Sequence, residues 1–180
     1  YSSLEEYERM AKMVGDMLFL AQADNHLLKP ELVKIDLHAE TNILFDVFGA
    51  WADELRIRLE VNSRACLRIG DRLMIRISLI TVLSNAIRHT PPNSTINVTL
   101  ESGGKLTSVR IENPGPMISA EHINRIFERF YRTDASRQRS GEGAGLGLAI
   151  TKSIVEAHNG AIKAHSTEQT TTFEFSFPSI

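Results

Sequence analysis

The chain has 180 residues and a hydrophobic fraction of 42%, which is enough to bury the core of one ordinary domain with at most a short appendage. Its formal net charge of −2 leaves no basic footprint for nucleic acid and no polybasic patch for a membrane surface. The single cysteine, Cys66, excludes an internal disulfide and a cysteine-based zinc site, and no segment reaches the ~18 apolar residues of a membrane span.

A long helix is predicted over residues 1–24. One apolar stripe has the alternating three- and four-residue spacing of a helical-bundle seam and consists of Leu4, Tyr7, Ala11, Val14, Leu18 and Ala21. A second stripe lies beside it and consists of Met10, Met13, Met17 and Leu20. Two stripes indicate more than one neighbouring helix, so we expect a bundle; the alternative is that both stripes pack on this chain's own domain. Residues 25–32, which include Pro30, are predicted to form a linker.

Alternating strands and helices are predicted from residue 33 onward. Strands are expected at residues 33–37, 57–61, 66–69, 95–100, 106–112, 161–166 and 171–177. Helices are expected at residues 38–55, 70–89 and 146–158. The second and third strands are expected to pair as a hairpin around Asn62 and Ser63, while residues 113–141 form a loop too long for a mere connection. The predicted fold class is α+β, a sandwich of a mixed sheet and three helices.

The predicted helix 70–89 is mostly apolar but carries one narrow polar stripe. Its members fall within about 100° of arc and are Ser78, Thr81, Asn85, Arg88 and His89. The Asn85 amide offers a carbonyl oxygen suited to a hard cation, and Arg88 offers a charge suited to phosphate. The alternative is that the stripe is simply the solvated side of the helix.

Three further stretches carry residues suited to binding a nucleotide. The glycine-rich run 141–148 opens a predicted helix whose first N–H groups favour a phosphate, although such runs are also common in flexible linkers. Glu112 ends a strand and could accept from the exocyclic amine of a purine; the alternative is an acidic strand end followed by a turn. Arginines suited to phosphate clamping lie between these two stretches, at Arg125, Arg129, Arg132, Arg137 and Arg139.

The order of these stretches along the chain resembles the N, G1, F, G2 and G3 boxes of the ATP-binding domain of sensor histidine kinases. The most specific segments are LSNAIRHT (83–90), FERFYR (127–132) and GEGAGLGLAI (141–150). Together with DMLFLAQADN (16–25) and ENPG (112–115), they make essentially the whole chain similar to the heavy-metal (copper/silver) resistance branch of that family.

The resemblance implies a Bergerat-type fold and a division of the chain into three parts. Residues 1–24 are similar to the second helix of the dimerisation hairpin, 25–32 to a linker, and 33–180 to the catalytic ATP-binding domain with a lid at about 113–145. The implied function is to position Mg²⁺-ATP for phosphoryl transfer to a histidine and onward to an aspartate of a response regulator. The implied protein is a homodimer and a bacterial inner-membrane sensor, of which this chain is a cytoplasmic portion.

Two further expectations concern activity. No segment like His-Glu-Leu-Arg-Thr-Pro, which carries the phosphoacceptor histidine in this family, occurs in the sequence, so no autophosphorylation is expected from this chain alone. The alternative function is a non-catalytic regulatory module with degraded nucleotide binding. An ATP hydrolase of the gyrase kind is disfavoured, because Thr81 stands where those enzymes place a glutamate base.

The resemblance also implies roles for single residues. Asn85 is similar to the Mg²⁺ ligand that also touches phosphate, Arg88 to a phosphate contact and His89 to the residue that flanks the base. Glu112 stands where an adenine-binding aspartate is usual, and Thr171 where a threonine lies near the adenine. The remaining implied nucleotide-binding residues belong to the turn after Glu112 and to the lid, and are Gly115, Arg132, Arg137, Gly143, Gly145, Leu146 and Gly147.

Four positions depart from the pattern of the family. Thr81 replaces a second asparagine, and Glu112 is one methylene longer than aspartate. Pro114-Gly115-Pro116 inverts the usual Gly-x-Gly, and Thr170 stands where glycine is common. Each of these departures is expected to reduce the affinity for nucleotide without abolishing the pocket.

Overall fold

The computed structural model of the chain describes residues 3–63, 66–133 and 143–179. Its helices are α1 Ser3–Asp24, α2 Leu37–Glu54, α3 Arg72–His89, α4 Ala120–Ile123 and α5 Gly147–Ala157. Its strands are β1 Leu32–Asp36, β2 Ile57–Asn62, β3 Leu67–Asp71, β4 Ser94–Gly103, β5 Leu106–Pro114, β6 Ala161–Ser166 and β7 Thr170–Pro178. Every predicted helix and strand is present, and the short helix α4 lies within the predicted long loop.

The strands form two separate sheets. Five of them make a mixed sheet in the order β2-β4-β5-β7-β6, in which β2 runs parallel to β4 and the other neighbours are antiparallel. The remaining two, β1 and β3, pair antiparallel in a small sheet of their own. The predicted hairpin between residues 57–61 and 66–69 is therefore wrong. Alternation along a strand specifies which face is buried, but it does not specify the neighbouring strand.

The hydrophobic core lies between one face of the five-stranded sheet and helices α2, α3 and α5. Strands β4, β5 and β7 alternate regularly between buried and more exposed residues. Their buried apolar members are Ile96, Val98, Leu100, Val109, Ile111, Phe173, Phe175 and Phe177. Full burial of a side chain of this size stabilises a fold by about 1.5–3 kcal/mol. The opposite face of the sheet is polar, so the helices and the candidate site share one side.

Two aspartates fix where the long helices begin. Asp36 ends β1 and caps α2, because its side chain accepts hydrogen bonds from the backbone N–H groups of His38 and Ala39. Asp71 ends β3 and caps α3 by accepting from the N–H of Met74 at 3.0 Å. Caps of this kind are worth about 1 kcal/mol each. The cap by Asp71 fixes the first residue of α3, and with it the position of the polar stripe relative to the neighbouring helices.

Helix α1 packs on the domain through two members of its second apolar stripe, Met13 and Leu20, whereas Met10 and Met17 of that stripe are exposed. Leu20 is 2% exposed and packs against α5, with Met13 partly buried beside it. The first stripe remains exposed, and its large members are Leu4, Tyr7, Val14 and Leu18. The alternative that both stripes pack on the chain's own domain is therefore not what the structure shows. The assignment of residues 1–24 to a dimerisation hairpin remains a prediction. Among the described helices, none has the length and apolar character needed to cross a lipid bilayer.

Candidate functional site

The polar stripe of α3 divides into side chains that serve the helix and side chains that are available to a ligand. The hydroxyls of Ser78 and Thr81 donate back to the carbonyls of Met74 and Ile77 at 3.1 and 2.9 Å. The half-buried Asn85 side chain makes no hydrogen bond with any residue that the structure describes. Its amide is therefore the polar group of the stripe that is free to bind a ligand.

The two basic residues at the end of the stripe lie on different sides of α3. The exposed Arg88 places its guanidinium 5.7 Å from the centroid of the Trp51 ring of α2. His89 lies next to the turn that follows β5, where a Cβ atom on Gly115 would be 2.9 Å from the His89 carbonyl oxygen. The structure therefore brings His89 and Gly115 together, as the resemblance implies.

The glycine turn before α5 closes against both α3 and the preceding loop. A Cβ atom on Gly147 would lie 3.0 Å from Thr81 Cγ2, so α5 begins in contact with α3, one turn from Asn85. Gly145 has a φ of 81° and its carbonyl accepts from the N–H of Phe130 at 3.0 Å. No side chain caps α5. The first N–H groups of α5 are thus left for an anion, which the helix dipole also favours.

The end of β5 places Asn113, and not Glu112, on the side of the site. Asn113 is 4% exposed and pairs in register with Thr171, which is 5% exposed. Its Nδ2 donates to the carbonyl of Pro114 at 3.0 Å and lies 3.6 Å from where a Cβ of Gly115 would be.

Glu112 lies on the opposite face of the sheet, where it accepts from Thr172 Oγ1 at 3.3 Å. This alternation places Asn113, and not Glu112, on the face that carries Thr171, because neighbouring residues of a strand face opposite sides, and the base contact predicted for Glu112 is better placed at Asn113. The sequence contained the signal that points to Asn113. Val109 and Ile111 are apolar at a spacing of two, and counting two further reaches Asn113.

Thr171 reaches the site from β7 with its hydroxyl already engaged. Its Oγ1 lies 2.9 Å from Ser166 Oγ, which accepts in turn from the N–H of Ile118 at 2.9 Å. This chain of contacts joins β6, β7 and the loop after β5 beside Asn113. It holds the loop against the sheet at the point where the resemblance places the base.

The loop arginines are held by contacts of different kinds. Arg125 pairs with Glu128 at 3.1 Å and lies over the Tyr131 ring at 4.4 Å. Arg129 pairs with Asp24 of α1 at 2.5 Å. Arg132 is half-buried at the end of the loop. The two other predicted clamp residues, Arg137 and Arg139, lie outside the described residues.

The groups with shifted pKa values in the core lie away from this site. Burial raises the pKa of the Cys66 thiol, and burial lowers the pKa of His158, whose Nε2 accepts from the N–H of Asp71 at 2.9 Å. Both belong to the structural contacts around β3. Within the described parts of the chain, no three His, Cys, Asp or Glu side chains come together as they would around a metal ion.

Comparison with protein families and curated proteins gives a consistent result. Residues 70–180 match the model described as the histidine kinase-, DNA gyrase B-, and HSP90-like ATPase family. The sensor histidine kinase CusS of Escherichia coli strain K12 is 49% identical over 178 residues, which cover 99% of this chain and 37% of CusS. The probable sensor kinase SilS of Salmonella typhimurium is 47% identical over 184 residues, which cover 99% of this chain and 37% of SilS. The chain thus spans little more than a third of the length of these relatives.

Solved structures agree with this assignment. The catalytic domain of histidine kinase ThkA superposes with a TM-score of 0.73 at 28% identity and covers 83% of this chain and 98% of that domain. At the level of the fold alone, full-length ShkA in complex with AMPPNP has a TM-score of 0.84 at 24% identity, covering 98% of this chain and 37% of ShkA. Also at the level of the fold, ThkA in complex with the response regulator TrrA has a TM-score of 0.72 at 22% identity, covering 99% of this chain and 52% of the ThkA chain. The predicted Bergerat-type fold and the resemblance to sensor histidine kinases are confirmed, and the chain belongs to the histidine kinase-, DNA gyrase B-, and HSP90-like ATPase family.

Proposed function

We propose that this chain is the ATP-binding catalytic part of a two-component sensor histidine kinase. The observation that carries the proposal is the meeting of α3 and α5. The N-terminus of α5, which no side chain caps, begins against Thr81, and the free amide of Asn85 lies one turn along α3. Phosphoryl transfer depends on positioning and charge neutralisation more than on covalent chemistry of the protein. The N-terminus of α5 and the Asn85 amide provide the positioning and the charge neutralisation that this reaction needs.

The phosphate end of the site uses dipoles and a metal ion. The first N–H groups of α5 offset the negative charge of a triphosphate, and the Asn85 carbonyl oxygen is a ligand of the type that Mg²⁺ accepts. When bound beside Asn85, Mg²⁺ would supply positive charge that offsets the negative charge of the phosphate groups during transfer. Asn85 presents this ligand from the last turns of α3, which packing against the sheet holds in place, whereas the phosphate contact of Arg88 and the base contact of His89 remain predictions from the resemblance.

The base end of the site uses Asn113 in place of a carboxylate. Because Nδ2 of Asn113 donates to the Pro114 carbonyl, Oδ1 is the atom left to accept from an exocyclic amine. Adenine carries an amine at the position where guanine carries a carbonyl oxygen, so this orientation favours ATP. Thr171 and Gly115 complete the surface beside Asn113.

The phosphoryl acceptor and the partners belong to the longer protein of which relatives such as CusS are examples. The exposed stripe of α1, from Leu4 to Leu18, fits the dimerisation hairpin of a homodimer, in which a neighbouring helix supplies the acceptor histidine. A response regulator is the proposed next acceptor, which the complex of ThkA with TrrA supports. A bacterial inner-membrane sensor that responds to a heavy metal is the proposed setting.

A non-catalytic regulatory module is the second candidate. The observation that favours it is the neutral amide of Asn113 where the family uses a carboxylate, together with Thr81 in place of a second asparagine. The first change weakens the contact to the base, because bonds to charged groups are roughly twice as strong as neutral ones. The second removes an amide oxygen and leaves a hydroxyl that already donates to the Ile77 carbonyl. This candidate shares the fold and differs only in whether nucleotide binds.

Calorimetric titration with a non-hydrolysable ATP analogue separates the two candidates. We expect micromolar to sub-millimolar binding that strengthens when Mg²⁺ is added, and we expect Asn85→Ala to abolish the Mg²⁺-dependent part. Asn97→Ala is the matched control, because Asn97 lies on the opposite face of the sheet, near Asn62. Absence of binding by the parent chain would favour the regulatory module, and unchanged binding by Asn85→Ala would refute the site.

A further inference from the structure

The C-terminal end of α1 carries a carboxylate that the helix itself does not favour. Asp24 is the last residue of α1, where the negative end of the helix dipole repels an anion, and no basic residue lies in that last turn. Its Oδ1 instead accepts from Arg129 Nη2 at 2.5 Å, across 105 residues of sequence. This hydrogen bond and the charge of Arg129 hold the pKa of Asp24 below its ordinary value. Asp24 therefore serves the loop contact and not the helix.

The loop backbone next to Arg129 is interlocked with the glycine turn before α5. Phe130 has a φ of 62°, a left-handed conformation that costs energy for a bulky residue, and its N–H donates to the Gly145 carbonyl at 3.0 Å. A Cβ atom on Gly145 would lie 3.0 Å from both Phe130 C and Tyr131 O. The conformation of the turn therefore depends on where the backbone of residues 129–131 lies.

A second contact from α1 is made with the hydrophobic cluster at the start of α5. Leu20 lies one helical turn before Asp24 and is 2% exposed. It packs against a cluster on α5 that includes Leu146, which follows Gly145 directly. The last turns of α1 thus contact two neighbours of the glycine turn: Leu20 packs into the cluster that includes Leu146, and Asp24 pairs with Arg129 of the preceding loop.

We infer that Arg129 is a positioning residue that couples helix α1 to the glycine turn at residues 143–147. While Asp24 holds Arg129, the backbone of 129–131 holds Gly145, and the start of α5 keeps the orientation that faces Asn85. A displacement of α1 that parts Asp24 from Arg129 releases the turn. The consequence for nucleotide rests on the function proposed above, whereas the coupling itself is a property of the chain alone.

This role differs from phosphate clamping, which the arginine-rich loop suggested for Arg129. The guanidinium of Arg129 is paired with Asp24 at 2.5 Å, so its charge is already matched by a carboxylate, which makes it less suited to clamp a phosphate than an arginine without an acidic partner. Arg129 also lies on the α1 side of the loop, since its partner ends that helix. The pair is roughly half exposed, so it is weak enough to be opened by a movement of α1.

Hydrogen–deuterium exchange measured by NMR tests the coupling without any ligand. Exposed ion pairs are worth at most about fivefold in an equilibrium constant, so we expect Asp24→Asn and Arg129→Gln each to lower the protection of the Phe130 amide about two- to fivefold. The charge-swapped double variant Asp24→Arg with Arg129→Asp should restore it. Lys12→Gln, which breaks the Lys12–Asp16 pair elsewhere on α1, is the matched control and should change nothing.

Two results would overturn the inference. Unchanged Phe130 protection in both single variants would show that the ion pair does not reach the turn. An equal loss of Phe130 protection in Lys12→Gln would show that any weakening of α1 has the same effect, and Arg129 would then not be a positioning residue.

Nucleotide titration provides the second readout. We expect Asp24→Asn and Arg129→Gln to weaken binding of a non-hydrolysable ATP analogue about two- to fivefold and to leave adenosine binding unchanged, because the turn faces the phosphates. Equal weakening of both ligands would contradict the coupling and indicate general structural damage. If the parent chain binds neither ligand, the proposed function fails while the exchange result still decides the coupling.

Discussion

At the scale of single residues, one position along β5 decides which side chain can meet a base. Glu112 and Asn113 are adjacent in sequence, but Asn113 is buried beside Thr171 while Glu112 pairs with Thr172 on the open face. A carboxylate accepts hydrogen bonds only, whereas an amide both donates and accepts. The bond from Asn113 to the Pro114 carbonyl uses the donor and leaves the acceptor for the ligand.

We predict that Asn113→Ala weakens binding of ATP about fivefold to tenfold, because a net hydrogen bond of about 1 kcal/mol is lost. Glu112→Gln should leave the affinity unchanged, since its side chain lies on the other face of the sheet. Calorimetric titration of both variants measures this difference. A loss of affinity in Glu112→Gln with none in Asn113→Ala would restore the assignment made from the sequence.

At the scale of elements, α1 and α5 form a small second cluster beside the main core. Leu20 from α1 and Leu146, Ala149, Ile150 and Ile154 from α5 are its buried members. The rest of α1 extends away from the domain with its large apolar residues exposed. One buried leucine, the partly buried Met13 and Phe19, and one exposed ion pair hold the C-terminal half of a 22-residue helix, which makes the docking of α1 weaker than the fold of the domain.

We predict that Leu20→Ala costs about 2–5 kcal/mol of docking free energy and detaches α1 without unfolding the sheet. Leu18→Ala is the matched control, because Leu18 is 62% exposed and its truncation should cost almost nothing. Hydrogen exchange distinguishes the two outcomes: protection should fall in α1 and persist in β4, β5 and β7. Loss of protection throughout the chain would show that α1 and the domain unfold as one unit.

At the scale of the whole molecule, buried polar side chains fasten the small β1–β3 sheet to the main core. Arg68 donates to the Pro178 carbonyl at 2.9 Å and lies 4.1 Å from the centroid of the Phe177 ring. His158, at the end of α5, accepts from the N–H of Asp71 through Nε2 at 2.9 Å. These contacts join the start of α3, the end of α5 and the end of β7 at one place.

We predict that the chain loses stability as the pH falls below about 6.5. Burial lowers the pKa of His158 from its ordinary value of 6.5, so the unfolded chain binds the proton more readily than the folded one. The stabilisation is complete above the unfolded pKa and declines below it by at most about 1.4 kcal/mol per pH unit. Urea denaturation at pH 7.5 and pH 5.5 measures the decline, and His158→Gln should reduce it. If His158→Gln lost as much stability between pH 7.5 and pH 5.5 as the parent chain, the pH dependence would have to come from other titratable groups.

Local patterns allowed the helices and strands to be predicted from the sequence alone. Periodicity along α3, alternation in β4 and β5, and the glycine run before α5 depend on neighbouring residues, so they are readable without a structure. The same patterns, in their order, sufficed to recognise the family. They also led to the prediction that Asn85, Gly145 and Thr171 belong to one site, because each lies in a motif of its own.

The pairing of distant segments was decided only by the tertiary structure. The partner of β2 is β4 and not β3, and this choice depends on packing that alternation does not encode. That Asn113 lies beside Thr171 became known only from the register of β5 against β7. Arg129 meets Asp24 across 105 residues, a contact for which no local pattern exists. Secondary structure thus follows from local sequence patterns, whereas contacts between residues remote in sequence depend on how the helices and strands pack together around the core.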